Sequence, residues 1–192
     1  MELTHNINLK FKNMKKTIFI FTAFLLFFGF SSCDEDDIKE FLPSFDVNLV
    51  ETENIPVHVD KTNGDWATFT NSVALSIVND DTKDYLNKIK NIRINKLSYK
   101  IINFSGDPSG EVDGSFWADN TISLNNAFVV KTAANNGTVY QITETAELDR
   151  IATALKNGHT INVKYSGNAL CDNANLDFIV EVTLDAKITI DP

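Results

Sequence analysis

The clearest pattern in this chain is an alternation of apolar and polar residues near its C-terminus. Every second residue from Leu176 to Ile190 is apolar, and the residues between them are polar or charged, with Ile179 as the exception. A period of two sustained over this length is typical of a β-strand with one buried face. Such a strand would be about 50 Å long, so we expect it to bend or to be shared between two sheets.

A change of parity further upstream indicates a β-bulge. Ile92 and Ile94 fall on one parity, whereas Leu97 and Tyr99 fall on the other. One extra residue near 95–96 would bring all four side chains to the same face of a strand. The segment around these residues is therefore predicted to be one bulged strand.

The remaining strands are shorter, and turn-forming residues separate them. From 67 to 77 the apolar residues again share one parity, with polar Asn71 as the exception. Asn, Asp, Gly and Pro gather at 63–65, 106–110 and 135–137, where their backbone preferences favour turns. Further strands are predicted at 45–50, 56–60, 114–118, 122–130, 138–142 and 160–166.

One segment has the period of a helix instead. Its apolar residues are spaced at i, i+3, i+4 and i+7, which gives one apolar stripe over about 144–157. Thr143 or Thr145 would cap its start, and Gly158 would end it. A shorter helix is predicted at about 82–89, capped by Asp81. The stripe consists of Leu148, Ile151, Ala152 and Leu155.

These elements predict a mainly β fold. Many short strands separated by turns, with few helices, favour an antiparallel β-sandwich or an open barrel with one packed α-helix. About 150 residues follow the N-terminal segments, enough for one domain with a substantial core. We expect a single β-rich domain over 45–192.

The N-terminal region has the pattern of a cleaved signal peptide. Lys15 and Lys16 begin it, a mostly apolar run follows from 17 to 30, and small residues precede Cys33. The apolar run is shorter than the roughly 20 residues that a transmembrane helix needs, and four acids at 34–37 end it. A membrane-spanning helix is therefore the weaker interpretation.

The sequence Phe30-Ser31-Ser32-Cys33 resembles a lipobox, and the acids after it resemble the export signal of Bacteroidota surface lipoproteins. The resemblance covers residues 14–37. It implies a signal peptide at 14–32 and acylation of Cys33, for example with palmitate. It also implies that the protein is located at the outer membrane, on the cell surface or, as the alternative, on the periplasmic face. Residues 1–13 then precede the true start, and 33–44 form an acidic tether. With Cys33 unmodified, ordinary cleavage would give a secreted protein.

Charge narrows the choice of partners. Of the 26 acidic residues only Glu2 precedes Cys33, whereas four of the 17 basic residues do. The chain from Cys33 onward therefore carries 25 acids and 13 bases, a formal net charge of −12. Such a protein repels the phosphate backbone, so nucleic acid is excluded as a partner.

Known catalytic motifs are missing from the sequence. It contains no Gly-x-Ser-x-Gly, no His-Glu-x-x-His and no Cys-x-x-Cys. His58 is expected to point to solvent, His159 to end the helix, and Cys171 to be a small buried apolar residue. We predict no catalytic residues and no cofactor, although a Ser-His-Asp site dispersed along the sequence stays open.

Three groups of acidic and amide residues have the oxygen ligands that calcium prefers. None follows a known calcium-loop pattern, and side chains that bond their own turns explain them equally well. No metal site is predicted. The groups are Asp107, Glu111 and Asp113; Asp80, Asp81 and Asp84; and Asp172, Asn173, Asn175 and Asp177.

Two tryptophans are the candidates for a ligand-binding surface. Parity places Trp66 on the polar face of its strand, and Trp117 points outward if Phe116 and Ala118 point inward. Exposed indoles can stack on sugar rings or anchor a protein partner. The alternative is that both rings cover the edges of the core.

These observations favour a non-catalytic binding module that is held to the membrane at Cys33. Its expected ligand is a polysaccharide or an envelope protein. The alternative is a structural or accessory subunit of an envelope complex, which an exposed apolar patch would favour. A hydrolase with a dispersed site and a lipid carrier are less favoured.

Overall fold

The computed structural model describes residues 43–191. The predicted signal peptide, Cys33 and the acidic run at 34–37 lie outside the described residues. The described part contains, in chain order, β1 (Phe45–Val59), β2 (Ala67–Ser76), a 3-10 helix (Lys83–Lys88), β3 (Ile89–Gly106), β4 (Glu111–Ala118), β5 (Thr121–Val129), α1 (Val130–Asn136), β6 (Val139–Gln141), α2 (Thr145–Gly158), β7 (Thr160–Leu170) and β8 (Leu176–Ile190).

The strands form two four-stranded sheets that pack face to face. Sheet 1 has the order β1-β8-β3-β6, and sheet 2 has the order β2-β7-β4-β5. Every hydrogen-bonded pair of strands is antiparallel. The apolar side chains that point inward from both sheets form one core. The predicted mainly β fold is confirmed, and of the two architectures it is the sandwich.

The C-terminal strand β8 follows its predicted alternation. Its residues alternate between buried and half-buried from Leu176 to Ile190. Of the two predicted alternatives, a bend or a strand shared between two sheets, the shared strand is not found. β8 lies in sheet 1 throughout, because β1 and β3 are long enough to pair with it from end to end.

Strand β1 runs unbroken through residues that the sequence pattern divided into two strands. Glu51 and Glu53 fall on the inward-facing parity, which hides the continuous strand in the sequence. β1 is an edge strand of sheet 1, and charges that point inward, together with a proline, protect such an edge from pairing with other chains. Pro56 supplies the proline, and Asn71 of β2 donates to its carbonyl oxygen at 2.8 Å. This contact explains the polar exception in β2.

The predicted bulge in β3 is present. The register between β3 and β8 shifts between Ile94 and Lys96, and the extra residue, Asn95, donates from Nδ2 to Oδ1 of Asp185 at 2.9 Å. A further irregularity lies between Ile89 and Asn91, and another lies between Ile102 and Ser105. There Asn103 has a φ of 54°, in the left-handed region that asparagine tolerates better than most residues.

The helices are close to their predicted positions, and their ends differ. α2 buries Ile151, Ala152 and Leu155. Glu144 rather than a threonine is its N-cap residue, and His159, at φ 60°, takes the left-handed position expected of Gly158. The helix predicted at 82–89 is a 3-10 helix that starts after Thr82 rather than Asp81.

The short helix α1 was not predicted. It follows β5 without a break and ends at Asn136, and its C-cap residue Gly137 lies in the predicted turn at 135–137. None of the helices within residues 43–191 is long and apolar enough to cross a bilayer.

The centre of the sandwich is aromatic. Tyr99 of β3 stacks on Phe116 of β4, with ring centroids 5.2 Å apart, and also lies 5.4 Å from Tyr165 of β7. The Tyr165 hydroxyl lies over Gly114, where a Cβ would overlap it. These contacts join the two sheets directly beneath β4, the strand that carries Trp117.

Candidate functional site

The outer surface of sheet 2 carries a dense array of hydroxyl and amide side chains, which we call the polar face. The strand register aligns its residues in rows across the sheet. Because directly opposed residues point to the same side of a sheet, each row presents its side chains together. The rows are Ser72, Lys164 and Trp117; Thr70, Ser166, Ser115 and Asn125; and Thr68, Asn168 and Asp113.

Trp117 lies on this face. Its neighbours Phe116 and Ala118 are fully buried, so its own side chain points outward and is half-buried against the sheet. The indole Nε1 donates to Oγ of Ser166 at 2.9 Å. The ammonium of Lys164 lies 3.9 Å from the ring centroid, a cation–π contact. These two contacts hold the ring on the polar face.

Two polar groups and one apolar side chain surround this ring. Ser115 Oγ donates to Oδ1 of Asn125 at 2.6 Å, in the row next to Trp117. Ile122, opposite Trp117 on β5, is 45% exposed. Hydroxyls, amides and an aromatic ring therefore share one surface.

Trp66 lies at the other end of the sheet. It immediately precedes β2 and is 50% exposed. The register of β2 places it near Leu170, six residues along β7 from the Lys164 that covers Trp117, which corresponds to about 20 Å. The two predicted stacking residues therefore do not form one platform.

A contact that the sequence analysis missed fixes the hairpin that carries Trp117. Asp119 and Asn120, between β4 and β5, both have positive φ, as the tight turn requires. Arg150 of α2 donates to the carbonyl oxygen of Ala118 at 2.6 Å and to Glu147 Oε1 at 2.7 Å. Ser123 of β5 donates to the same Glu147 oxygen at 2.5 Å.

The negative charge of Glu147 is balanced by Arg150 at this contact. The hydrogen bond from Arg150 lowers the pKa of Glu147, so the carboxylate stays ionised. The only sequence signal for this pair is the i, i+3 spacing of two opposite charges, which also occurs in exposed salt bridges that support no other structure.

His58 points outward from β1, as expected, and it lies between two carboxylates. Its Nδ1 is 2.6 Å from Asp177 Oδ1, and its Nε2 is 3.2 Å from Asp60 Oδ1. The hydrogen bond with Asp177, followed by that with Asp60, raises the pKa of His58. Because both ring nitrogens face carboxylates, neither is placed to take a proton from a nucleophile.

His159 and Cys171 have structural positions. His159 ends α2 with its backbone N–H on the Leu155 carbonyl, and its ring Nε2 lies 3.3 Å from the carbonyl oxygen of Leu86. Cys171 is buried, with its sulfur 3.3 Å from the carbonyl oxygen of Asp60. Burial raises the pKa of this thiol, which lowers its reactivity at neutral pH.

Some of the acidic residues considered for calcium bond to nearby protein groups instead. Asp172 Oδ1 accepts from the backbone N–H of Gly64 at 2.6 Å and from Thr62 Oγ1 at 3.0 Å. Asp80 pairs with Lys83 at 2.8 Å. Within residues 43–191 no three His, Cys, Asp or Glu side chains are grouped so that they could hold a metal ion.

Comparison with known proteins gives no family. No protein-family model matches the chain, and no curated protein matches it. Among solved structures, the decameric BFDV capsid protein is similar with a TM-score of 0.44 and 11% identity, over 75% of this chain and 99% of that one. The Desmodium yellow mottle tymovirus structure is similar with a TM-score of 0.32 and 10% identity, over 92% of this chain and 96% of that one.

Proposed function

We propose that this chain is a lipid-anchored lipoprotein of the cell envelope that binds a glycan on its polar face, around Trp117. The observation that carries the proposal is the position of the Trp117 ring among hydroxyl and amide side chains on one sheet surface. The sequence resemblance at residues 14–37 supports the anchor, with Cys33 as the acylated residue and the outer membrane as the address.

The chemistry of the polar face suits a neutral sugar. The C–H groups of a pyranose ring can pack on an aromatic side chain, while its hydroxyls exchange hydrogen bonds with serine, threonine and asparagine. Asp113 and Lys164 are the charged members of the three rows, and their charges are opposite. The polar face thus differs from the strongly acidic chain as a whole.

Lys164 controls access to the ring. Its ammonium covers the indole, so a sugar that stacks there must displace it. An exposed cation–π contact contributes about 0.5–1 kcal/mol, which a stacked sugar can offset. Removing the lysine side chain should therefore improve stacking rather than weaken it.

An affinity-electrophoresis panel of polysaccharides tests this proposal with the purified full chain in detergent. We expect at least one neutral polysaccharide to retard the protein. Trp117→Ala should weaken that retardation by at least about tenfold in affinity, which is 1.4 kcal/mol, and Lys164→Ala should preserve or strengthen it.

The matched control is Trp66→Ala, which removes the other indole at the far end of sheet 2 and should change the affinity little. Retardation that is equal in both tryptophan variants would contradict a site at Trp117. A protein captured by the parent and lost only in Trp117→Ala, with no glycan bound, would assign the same face to a protein partner.

The accessory-subunit alternative has less support. Within residues 43–191, the exposed large apolar residues lie on β1, β5 and β6 and in the segments before and after β2: Phe45, Val50, Trp66, Val78, Ile122 and Val139. A lipid carrier has less support too, because Tyr99, Phe116 and Tyr165 fill the space between the sheets.

A further inference from the structure

A groove of about 420 Å³ is lined mainly by sheet 1, whose outer surface lies on the opposite side of the sandwich from the polar face, and Asn71 of β2 completes the lining. We call it the His58 groove. The residues that matter for its chemistry are Pro56, His58, Asn71, Asn103, Asp177 and Ile179. Its volume is in the range of small-ligand sites.

An apolar row crosses sheet 1 at the groove. Pro56 of β1, Ile179 of β8 and Ile102 of β3 are direct cross-strand partners and form this row; Pro56 and Ile179 line the groove, and Ile102 continues the row beyond it. Ile179 is the apolar residue that breaks the alternation of β8, and its position in this apolar row accounts for the exception. An aliphatic chain lying across the three strands would be in contact with apolar side chains.

One end of the groove is rich in hydrogen-bond acceptors. Asp177 lies one row beyond Ile179 and bonds to His58 through Oδ1. Asn71 donates its amide N–H to the Pro56 carbonyl, and its amide oxygen has no donor among residues 43–191. Asn103 stands at the bulge of β3, in the left-handed conformation, and lines the same space. A ligand group that donates several hydrogen bonds fits these acceptors.

His58 already supplies such a donor. Its ring is held between Asp177 from β8 and Asp60 from the loop after β1, so its protonated form is the cation that these carboxylates attract. The strands on either side add no charge, since β3 faces the pair with Ser105 and β2 contributes Asn71. The imidazolium therefore occupies a place that another cation could take.

We propose that the His58 groove binds an ammonium or guanidinium group carried on an aliphatic stem. The stem lies on the row of Pro56, Ile179 and Ile102, and the cation replaces His58 as the partner of Asp177. Lysine and arginine side chains have this combination of apolar stem and charged head, as simple alkylamines do.

This arrangement makes binding depend on pH. The ligand and the protonated imidazole compete for the same carboxylate, so binding of the cation becomes stronger as the pH rises and His58 loses its proton. Hydrogen bonds from His58 to Asp177 and then Asp60 raise the pKa of the imidazole, so the proton competes with the ligand up to a higher pH than at an unperturbed histidine.

NMR titration of the full chain with n-pentylammonium tests the proposal, with n-pentanol as the uncharged probe of equal stem length. We expect a saturable shift of the His58 Cε1 proton with pentylammonium and none with pentanol. The affinity should rise at least about tenfold between roughly pH 5.5 and 8.5.

Two variants separate the roles of the two side chains. Asp177→Asn should weaken binding at least about tenfold, whereas His58→Gln, followed by backbone amide shifts, should retain binding and lose its pH dependence. Asp185→Asn, on the same strand and surface, is the matched control and should bind as the parent does. Trp117→Ala should leave binding of pentylammonium unchanged. The test of the His58 groove is therefore independent of the test of the polar face.

Equal binding of pentanol and pentylammonium would overturn the proposal, and so would an affinity that Asp177→Asn leaves unchanged. A lysine-containing peptide in a second titration distinguishes the sources of the cation. An affinity equal to that of pentylammonium indicates a small amine, whereas a much tighter one indicates a basic segment of a partner protein.

Discussion

Asp107 is a buried carboxylate that joins two loops at one end of the sandwich. Its Oδ1 accepts from the backbone N–H and the hydroxyl of Ser109, and its Oδ2 accepts from the backbone N–H of Asn173 at 2.8 Å. These hydrogen bonds, that from the Asn173 backbone first, hold the pKa of Asp107 well below its usual range. The residue therefore stays ionised although it is buried.

Replacement of Asp107 by alanine should lower the free energy of unfolding by about 2 kcal/mol, because the donors of Ser109 and Asn173 lose their acceptor. Since the folded pKa lies below the unfolded value of about 4, the difference from the parent should be complete above that pH and shrink as the pH falls below it. Urea unfolding across this range measures it. Asp113→Ala, at an exposed position, is the control, and an equal loss in both variants would contradict this role.

Two buried tyrosines give a second test at the scale of the residue. Among residues 43–191 the buried Tyr165 hydroxyl has no hydrogen-bond partner, whereas the Tyr99 hydroxyl accepts from Asn126 Nδ2 at 3.1 Å. Tyr165→Phe should leave the free energy of unfolding unchanged or raise it by up to about 1 kcal/mol, and Tyr99→Phe should lower it by about 1 kcal/mol. Thermal unfolding of both variants decides the point. A greater loss in Tyr165→Phe would mean that its hydroxyl is bonded in solution.

How much of the candidate site the sequence could predict differs between its residues. The outward orientation of Trp117 follows from the apolar residues on either side of it. The contacts of the Trp117 ring with Lys164 and Ser166 could not be predicted from the sequence. Both residues lie on β7, almost fifty positions away, and only the pairing of β4 with β7 brings them to the ring. His58 was likewise expected to face solvent, but its contact with Asp177 depends on the pairing of β1 with β8.

At the scale of the element, two glycines have opposite surroundings. Gly167 of β7 lies against β4, where a Cβ would overlap the carbonyl oxygen of Asp113. Gly158, the last residue of α2, has open space around its Cα. The same substitution should therefore act differently at the two positions.

Gly167→Ala should lower the free energy of unfolding by at least about 2 kcal/mol, because the overlap is with main chain and the strands must move apart. Gly158→Ala should raise it by up to about 0.5 kcal/mol through the better helix propensity of alanine. Chemical denaturation of the two variants provides the comparison. A loss at Gly167 no larger than the change at Gly158 would show that β4 and β7 are less closely paired than described.

The elements themselves were predictable where their pattern was regular. β8, β2, the bulge in β3 and the body of α2 follow from periods of two and 3.6. The continuity of β1 does not, because inward-facing glutamates protect an edge at the expense of the alternation. α1 is only two turns long and ends in glycine, so its sequence also fits a turn.

At the scale of the whole molecule, the proposed functions lie on opposite sides of one sandwich. The polar face belongs to sheet 2, and the His58 groove belongs to sheet 1. If Cys33 is acylated, residues 34–44 can span at most about 40 Å when extended, a reach that would allow the domain to stand clear of the lipid headgroups.

The anchor has its own test. In the native host, Cys33→Ala should abolish incorporation of labelled palmitate and move the protein from the membrane fraction to the soluble fraction, because the acyl chains supply the membrane affinity. Cys171→Ala is the matched control, since Cys171 is buried and should not be acylated. Labelling that persists in Cys33→Ala would contradict the assignment.

The measurement that tests the central proposal most directly is a fluorescence titration of Trp66→Phe. This variant retains Trp117 as its only tryptophan, so any change in indole emission comes from the polar face. We expect a saturable blue shift with the polysaccharide that retards the parent protein, and a tighter one after the additional change Lys164→Ala. Binding of that polysaccharide without any change in Trp117 emission would contradict a glycan site on this face.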